Sequence, residues 1–271
     1  MSKLIVLLTL AYASIAVATA AVAADLQRLR KWDDASEARV DHSEWRRFLQ
    51  TYVDASGDDG VNRVRYGAVT EYDRKALDGY IAALSAGDPT ALGRDEAFAY
   101  WANLYNALTV RLILDHYPVG SIRDIKSSPF SIGPWKMAAV IVLGEELSLD
   151  DIEHGILRAA WKDPRTHYAV NCASIGCPDL QTEPFSGEAL NEALDRAAHD
   201  YINHPRGAEF DARGQLVLSS IYKWFREDFG KTDRQVIEHL AKHAEPALAE
   251  RLREKQTIDR YRYDWSLNDR P

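Results

Sequence analysis

The spacing of apolar residues sorts most of the chain into helices. Trp45, Phe48, Leu49 and Tyr52 recur at helical intervals, and Ser43 stands where it can cap the segment that carries them. Leu77, Tyr80, Ile81 and Leu84 mark one face of a second helix over 72–86. The strongest pattern covers Asp95–Tyr117, apolar nearly all round, which predicts a central, buried helix ended by Tyr117-Pro118. Asn103 and Asn106 lie within it, on one face. Asparagine competes with helix backbone for hydrogen bonds, so each amide needs a partner. That partner is either neighbouring backbone or a catalytic side chain or substrate carbonyl that the amide orients.

Further along, 129–134 is rich in turn residues, Trp135–Leu143 predicts a strand, and Gly144-Glu145-Glu146 turns it back. Ser148 with Asp151 three positions on is a variant capping box. The helix it opens buries Ile152, Ile156 and Ala159, runs to Trp161 and stops before Asp163-Pro164. His154 and Arg158 share a different face of it. Tyr168–Cys172 predicts a short strand entering the small-residue loop Ala173-Ser174-Ile175-Gly176. Next come an amphipathic helix over 186–201, a hairpin over 208–219, a short aromatic helix over 221–229 and a helix over 234–255 broken at Pro246. Tyr261, Tyr263 and Trp265 alternate, as in a final strand. The acidic stretch Ser56–Gly60 lacks the terminal glutamate of a calcium loop and reads as a turn. No repeat, low-complexity segment or linker divides the chain. The expectation is one α+β domain over 41–268, preceded by a lead-in over 25–40, with a central buried helix packed with further helices around a small, mainly antiparallel sheet. A papain-like or transglutaminase-like arrangement is the finer expectation.

Composition adds bounds. Hydrophobic residues make up 46% of the chain and there are seven tryptophans, enough for a sizeable core. A net charge of −8 argues against nucleic acid as a partner and against an anionic membrane face. Met1–Ala24 has a basic start, an apolar run and small residues before Asp25, which predicts a signal peptide cut after Ala23 or Ala24 and a periplasmic or secreted protein with no further membrane span. In that compartment two cysteines suggest one disulfide, Cys172–Cys177. No glycine loop that would cradle phosphates occurs, so no organic cofactor is expected, and no close ligand pair at zinc spacing occurs, so no metal is expected.

The candidate chemistry centres on Cys172, at the junction of a predicted strand and loop. A thiolate nucleophile needs a nearby base. Strand alternation would put His167 on the opposite face from Cys172. That leaves His154 as the base, with Asn103 or Asn106 to orient it and backbone N–H groups of 173–176 to hold an oxyanion. Arg158, Trp101, Tyr105 and His167 are the expected substrate contacts, and Trp135 and Tyr168 extend the aromatic set. If Cys172 pairs with Cys177, it cannot attack; a staple, a free nucleophile and a redox pair all remain open.

The stretches Ala99–Leu108, Pro118–Ile122, Leu149–Arg158, Asp163–Ala169, Cys172-Ala173-Ser174 with Cys177-Pro178, and Tyr263–Asn268 together resemble DUF547, a domain of unknown function found in exported bacterial proteins and in plants. The resemblance spans about Trp45 to Asn268 and implies no activity. Two readings are open. One is a thiol-dependent hydrolase or transferase acting on an amide- or peptide-type bond through Cys172 and His154. The other is a non-catalytic envelope module, stapled by Cys172–Cys177, that binds a peptide, glycan or small molecule.

Overall fold

The computed structural model describes residues 26–126 and 131–270; the expected signal peptide lies outside them. Helix α1 (Ser43–Tyr52) buries Trp45, Phe48, Leu49 and Tyr52, as the spacing requires. Its start is braced by Asp41, whose Oδ1 accepts the Ser43 N–H at 2.8 Å, rather than by the Ser43 side chain. A two-residue ladder, β1 (Val53–Asp54) with β2 (Arg63–Val64), leads to α2 (Glu71–Ala86), capped by Thr70. Helix α3 (Arg94–His116) is the hub: from Glu96 to Val110 every side chain is buried. The 25–40 segment packs onto the body. Leu29 is fully buried, and Arg30 Nε donates to Gly155 O at 2.6 Å.

The hairpin β3 (Ala138–Val142) and β4 (Glu145–Ser148) ends at the predicted cap. Ser148 Oγ accepts the Asp151 N–H at 3.2 Å, and the Ser148 N–H donates to Asp151 Oδ2 at 2.9 Å. The helix opened by this cap is not a plain α-helix. Asp151–Leu157 winds as a π-helix, with the Arg158 N–H bonded to Glu153 O five residues back, before α4 (Arg158–Trp161). Such widened turns are rare and concentrate at functional sites. A second departure comes next. The predicted strand into Cys172 is instead a helical turn, α5 (Thr166–Ala169), after which Val170 returns to extended backbone. The Thr166, His167 and Tyr168 amides bond back to Asp163, Pro164 and Arg165, so the Asp163-Pro164 break starts a new turn rather than a strand.

The remainder is α6 (Leu190–Asn203), the hairpin β5 (Ala208–Phe210) and β6 (Leu216–Ser219), the short turns α7 (Ile221–Trp224) and α8 (Arg226–Phe229), then α9 (Asp233–His243), α10 (Pro246–Glu254) and β7 (Arg260–Arg262). Strand β7 pairs with β6 in parallel, making the largest sheet among the described residues three strands. The molecule is a single α+β domain, and among the described residues its strands form three small sheets rather than one. That departs from the expectation of one sheet and gives no support to a papain-like or transglutaminase-like arrangement. Apolar side chains form two clusters, one around α3 and one around α6, α7 and α9. Among the described residues no helix is long and apolar enough to cross a membrane.

Candidate active site

Where the two clusters meet, a cavity of about 240 Å³ opens above Cys172. Its wall draws Tyr105 from α3, Glu153 and His154 from the π-helix, His167 from α5, Ile221 and Trp224 from α7, and Phe225 after it. Trp135, Tyr263 and Trp265 line it too, and Asp150, Val170, Cys177 and Pro178 complete the lining.

Cys172 is set by its backbone. Asn106 Nδ2 donates to Ala169 O at 2.9 Å, and Asn106 Oδ1 accepts the Asn171 N–H at 2.8 Å, so one amide clamps the chain on both sides of Val170. Asn171 then folds the loop over itself: its Oδ1 accepts the Ala173 N–H at 2.8 Å and its Nδ2 donates to Pro178 O at 2.7 Å. Between these anchors Ala173 sits in the left-handed region, φ 56°. For an L residue with a Cβ this costs on the order of 1 kcal/mol, and such strain gathers at functional sites. Gly176 is required where the C-terminal tail crosses. A Cβ there would lie 2.7 Å from Asp264 N, while Gly176 itself donates to Asp264 O at 2.8 Å.

The Cys172 Sγ has three partners. Cys177 Sγ stands at 2.9 Å, Tyr263 OH at 3.1 Å and Ser174 Oγ at 3.2 Å, and the two hydroxyls are 3.0 Å from each other. Both cysteines are free thiols, so the expected disulfide staple is not formed in this structure. The pair is asymmetric. The Cys177 thiol beside Cys172 lowers the Cys172 pKa; burial opposes this, and Ser174 and Tyr263 add to the lowering. Cys177 is pushed well up by burial and by the neighbouring sulfur. A half-buried thiol with a lowered pKa beside a buried one with a raised pKa is the asymmetry expected of a reactive cysteine.

Both candidate imidazoles line the cavity, but neither is hydrogen-bonded to Sγ. Arg158 donates to His154 Nδ1 at 3.1 Å. A guanidinium only donates, so His154 Nδ1 must accept and its proton sits on Nε2, which lies 3.8 Å from Asp150 Oδ1. His167 is held the other way. Its Nε2 meets Asp228 Oδ2 at 2.6 Å, and its ring stacks on Phe225 with centroids 4.3 Å apart. Burial pushes the Asp228 carboxyl up, but hydrogen bonds from His167 and Arg158 outweigh it and bring it down to about 2. As a carboxylate Asp228 fixes the proton of neutral His167 on Nε2 and leaves Nδ1 as the basic nitrogen, 3.9 Å from Glu153 Oε1. The alternation argument that set His167 aside fails because Thr166–Ala169 is helical.

Other expected roles change as well. Asn103 serves the fold: Nδ2 donates to Phe185 O at 2.8 Å and Oδ1 accepts the Phe185 N–H at 3.1 Å, with His42 Nε2 at 3.3 Å. Asn106 orients the Cys172 backbone, not an imidazole. Of the loop amides expected to form an oxyanion hole, three are engaged: Ala173, Ile175 and Gly176 donate to Asn171 Oδ1, Ser266 O and Asp264 O, and Cys177 beyond them donates to Ser174 O; among the described residues the Ser174 N–H has no acceptor. Even the Cys172 N–H is directed at Cys177 Sγ, 3.0 Å away. Of the expected substrate contacts, Tyr105 and His167 reach the cavity. Arg158 stands behind His154, Trp101 is fully buried outside the wall, and Tyr168 bonds to His239 in the second core.

Sequence pattern did not point to Glu153, Asp228, Tyr263, Trp224, Phe225 or Trp265 as parts of the site. Glu153, adjacent to His154 in the capped helix, had a local signal; Asp228 and Tyr263 arrive from distant segments and had none.

The family model of DUF547, a protein family of unknown function, matches residues 89–202, which include Cys172, Glu153, His154 and His167. No curated protein and no solved structure matches the chain.

Proposed function

We propose, from the chemistry of the cavity, that the chain is a thiol-dependent hydrolase or transferase acting on an amide- or peptide-type bond, with Cys172 as nucleophile. The observation that carries the reading is the Cys172 Sγ, held by three hydrogen-bonding partners, facing a cavity whose wall also carries His167, itself backed by Asp228. His167 is the better base than His154, because its Nδ1 is free to take a proton while the corresponding nitrogen of His154 is engaged by Arg158. Attack of the thiolate on the carbonyl carbon places charge on the carbonyl oxygen. The hydroxyls of Tyr263 and Ser174 are the donors at hand for it, since the Ala173, Ile175 and Gly176 amides are engaged elsewhere. His167 then returns its proton to the leaving amine, and water or a second acceptor releases the acyl group.

A second reading, a peptide- or glycan-binding module of the cell envelope, draws on the aromatic wall, where Trp224, Tyr263 and Trp265 stand with ring centroids 4.6 to 5.4 Å apart. Iodoacetamide labelling followed by mass spectrometry separates the two. We expect Cys172 to be alkylated without prior reduction and Cys177 to be spared. His167→Ala should slow labelling at neutral pH by at least roughly tenfold, with a smaller effect from His154→Ala. A native protein in which Cys172 stays unlabelled sinks the thiol reading. Export is also proposed, on the sequence of Met1–Ala24 alone; the intact mass of the protein recovered from the envelope fraction would show the cut after Ala23 or Ala24.

A further inference from the structure

The charged groups of the cavity wall are of one sign. Asp150 and Glu153 line it, together with two histidines and six aromatic side chains, and among the described residues no lysine or arginine does. The Glu153 side chain is nine-tenths buried, and its Oε2 accepts the Tyr105 hydroxyl at 3.0 Å. Among the described residues its Oε1 has only imidazole nitrogens near it, His154 Nδ1 at 3.6 Å and His167 Nδ1 at 3.9 Å, both beyond hydrogen-bonding reach. The Asp150 carboxylate likewise finds no hydrogen-bond donor among the described residues, its nearest ionic partner being His154 Nε2 at 3.8 Å. Leaving the Oε1 of the largely buried Glu153 without a donor is costly, and Asp150, its side chain 27% exposed, adds a second carboxylate to the wall. The rings of Trp135, Trp224, Tyr263 and Tyr105 border the cavity and add the electron-rich π-systems that favour a cation, while Phe225 and Trp265, also in the wall, already meet Arg158 and Arg123. An anionic ligand would meet two carboxylates, and a neutral one would leave Glu153 without a counter-charge. An organic cation satisfies both the oxygens and the rings.

We propose that the cavity is a binding site for a cationic organic group, an alkylammonium or guanidinium side chain or amine, held by Glu153 and Asp150 within the aromatic wall and so carried against Cys172. This names the substrate class of the proposed thiol site and rests on that reading only for its catalytic consequence. The cation also offsets the charge of Glu153, which opposes thiolate formation at Cys172. Binding of the correct substrate and activation of the nucleophile are thereby coupled. Burial and the neighbouring Glu153 push the Asp150 carboxyl up, partly offset by His154 and Lys136, which is the direction a bound cation would reverse.

The test uses the full mature chain and the quenching of its tryptophan fluorescence by three probes of similar size: benzylammonium, benzyl alcohol and benzoate. Benzylammonium should bind roughly tenfold or more tightly than benzyl alcohol, and benzoate most weakly. Asp150→Asn and Glu153→Gln should each erase most of that preference, while Trp224→Ala weakens the cation chiefly. Equal binding of the three probes overturns the proposal. So does a cation preference that survives both carboxylate substitutions, because the site would then lie elsewhere. Wild-type selectivity needs no variant to fold, so it stands as a test by itself. Failure here with Cys172 still alkylated by iodoacetamide sinks the cation site alone. Cation binding with Cys172 inert sinks the thiol enzyme and leaves a cation-binding module.

Discussion

Asn106 illustrates how a single side chain can set a reactive group without touching it. Its amide is buried in α3, yet both its polar atoms leave the helix to bind backbone on either side of Val170, two residues before Cys172. Replacing it with alanine leaves Ala169 O and the Asn171 N–H without partners in the core. Each buried unpaired group costs on the order of 1–3 kcal/mol, so Asn106→Ala should lower stability by roughly 2–4 kcal/mol. Because the clamp aims the Cys172 turn, alkylation of Cys172 in the folded variant should also slow. Urea unfolding and labelling kinetics measured on the same preparation check both, and a variant of wild-type stability would show that the clamp is dispensable.

At the scale of elements, local pattern was a good guide where one helix face decides the outcome and a poor one where distant segments meet. The Asn-bearing helix, the Ser148 cap and the 208–219 hairpin follow from spacing and turn chemistry alone. The stretch before Cys172 did not. Its alternation of Tyr168, Val170 and Cys172 fits a strand, but the Asp163-Pro164 corner and a helical turn win, and the face assignment of His167 went with the strand. The Asp228 carboxylate, the Tyr263 hydroxyl and the tail that grips Ser174 and Gly176 are tertiary placements without a local trace in sequence. That tail gives a further prediction. Gly176 stands against Asp264 backbone at distances no Cβ tolerates, 2.7 and 2.8 Å. Gly176→Ala must therefore push the tail away, breaking the bonds from Gly176 N to Asp264 O and from Ile175 N to Ser266 O. Tyr263 is displaced with it. A destabilisation of about 2–3 kcal/mol is expected, together with slower Cys172 alkylation. Unchanged labelling would mean that Tyr263 contributes little to the reactivity of the thiol.

For the molecule as a whole, each core cluster holds a histidine kept neutral, His42 buried and His239 half-buried, and this sets how stability responds to acid. His42 lies between Tyr80 OH at 2.6 Å and Asn103 Nδ2 at 3.3 Å. The amide nitrogen donates, so His42 Nε2 must accept, and a proton placed there would face another donor. Burial lowers the His42 pKa to about 4, against the opposing pull of Glu96 and Asp41. In the second cluster burial, with His243 and Lys242 nearby, lowers His239 to about 3, and its Nε2 is bonded to Tyr168 OH at 2.9 Å. In the unfolded chain both titrate near 6.5. Between that value and about 4 the unfolded state therefore binds more protons than the folded one, so stability rises with pH. It is fully present above about pH 6.5 and drains away as the pH falls. By pH 5 each histidine should cost on the order of 2 kcal/mol. The lowered carboxylates Asp73 and Asp228, both at about 2, add their loss only at lower pH. Urea unfolding at pH 7.5, 6 and 5 should show the decline, and His42→Gln should flatten its slope by about half. A stability independent of pH from 7.5 to 5 would mean that these imidazoles find room, and a partner, for the extra proton.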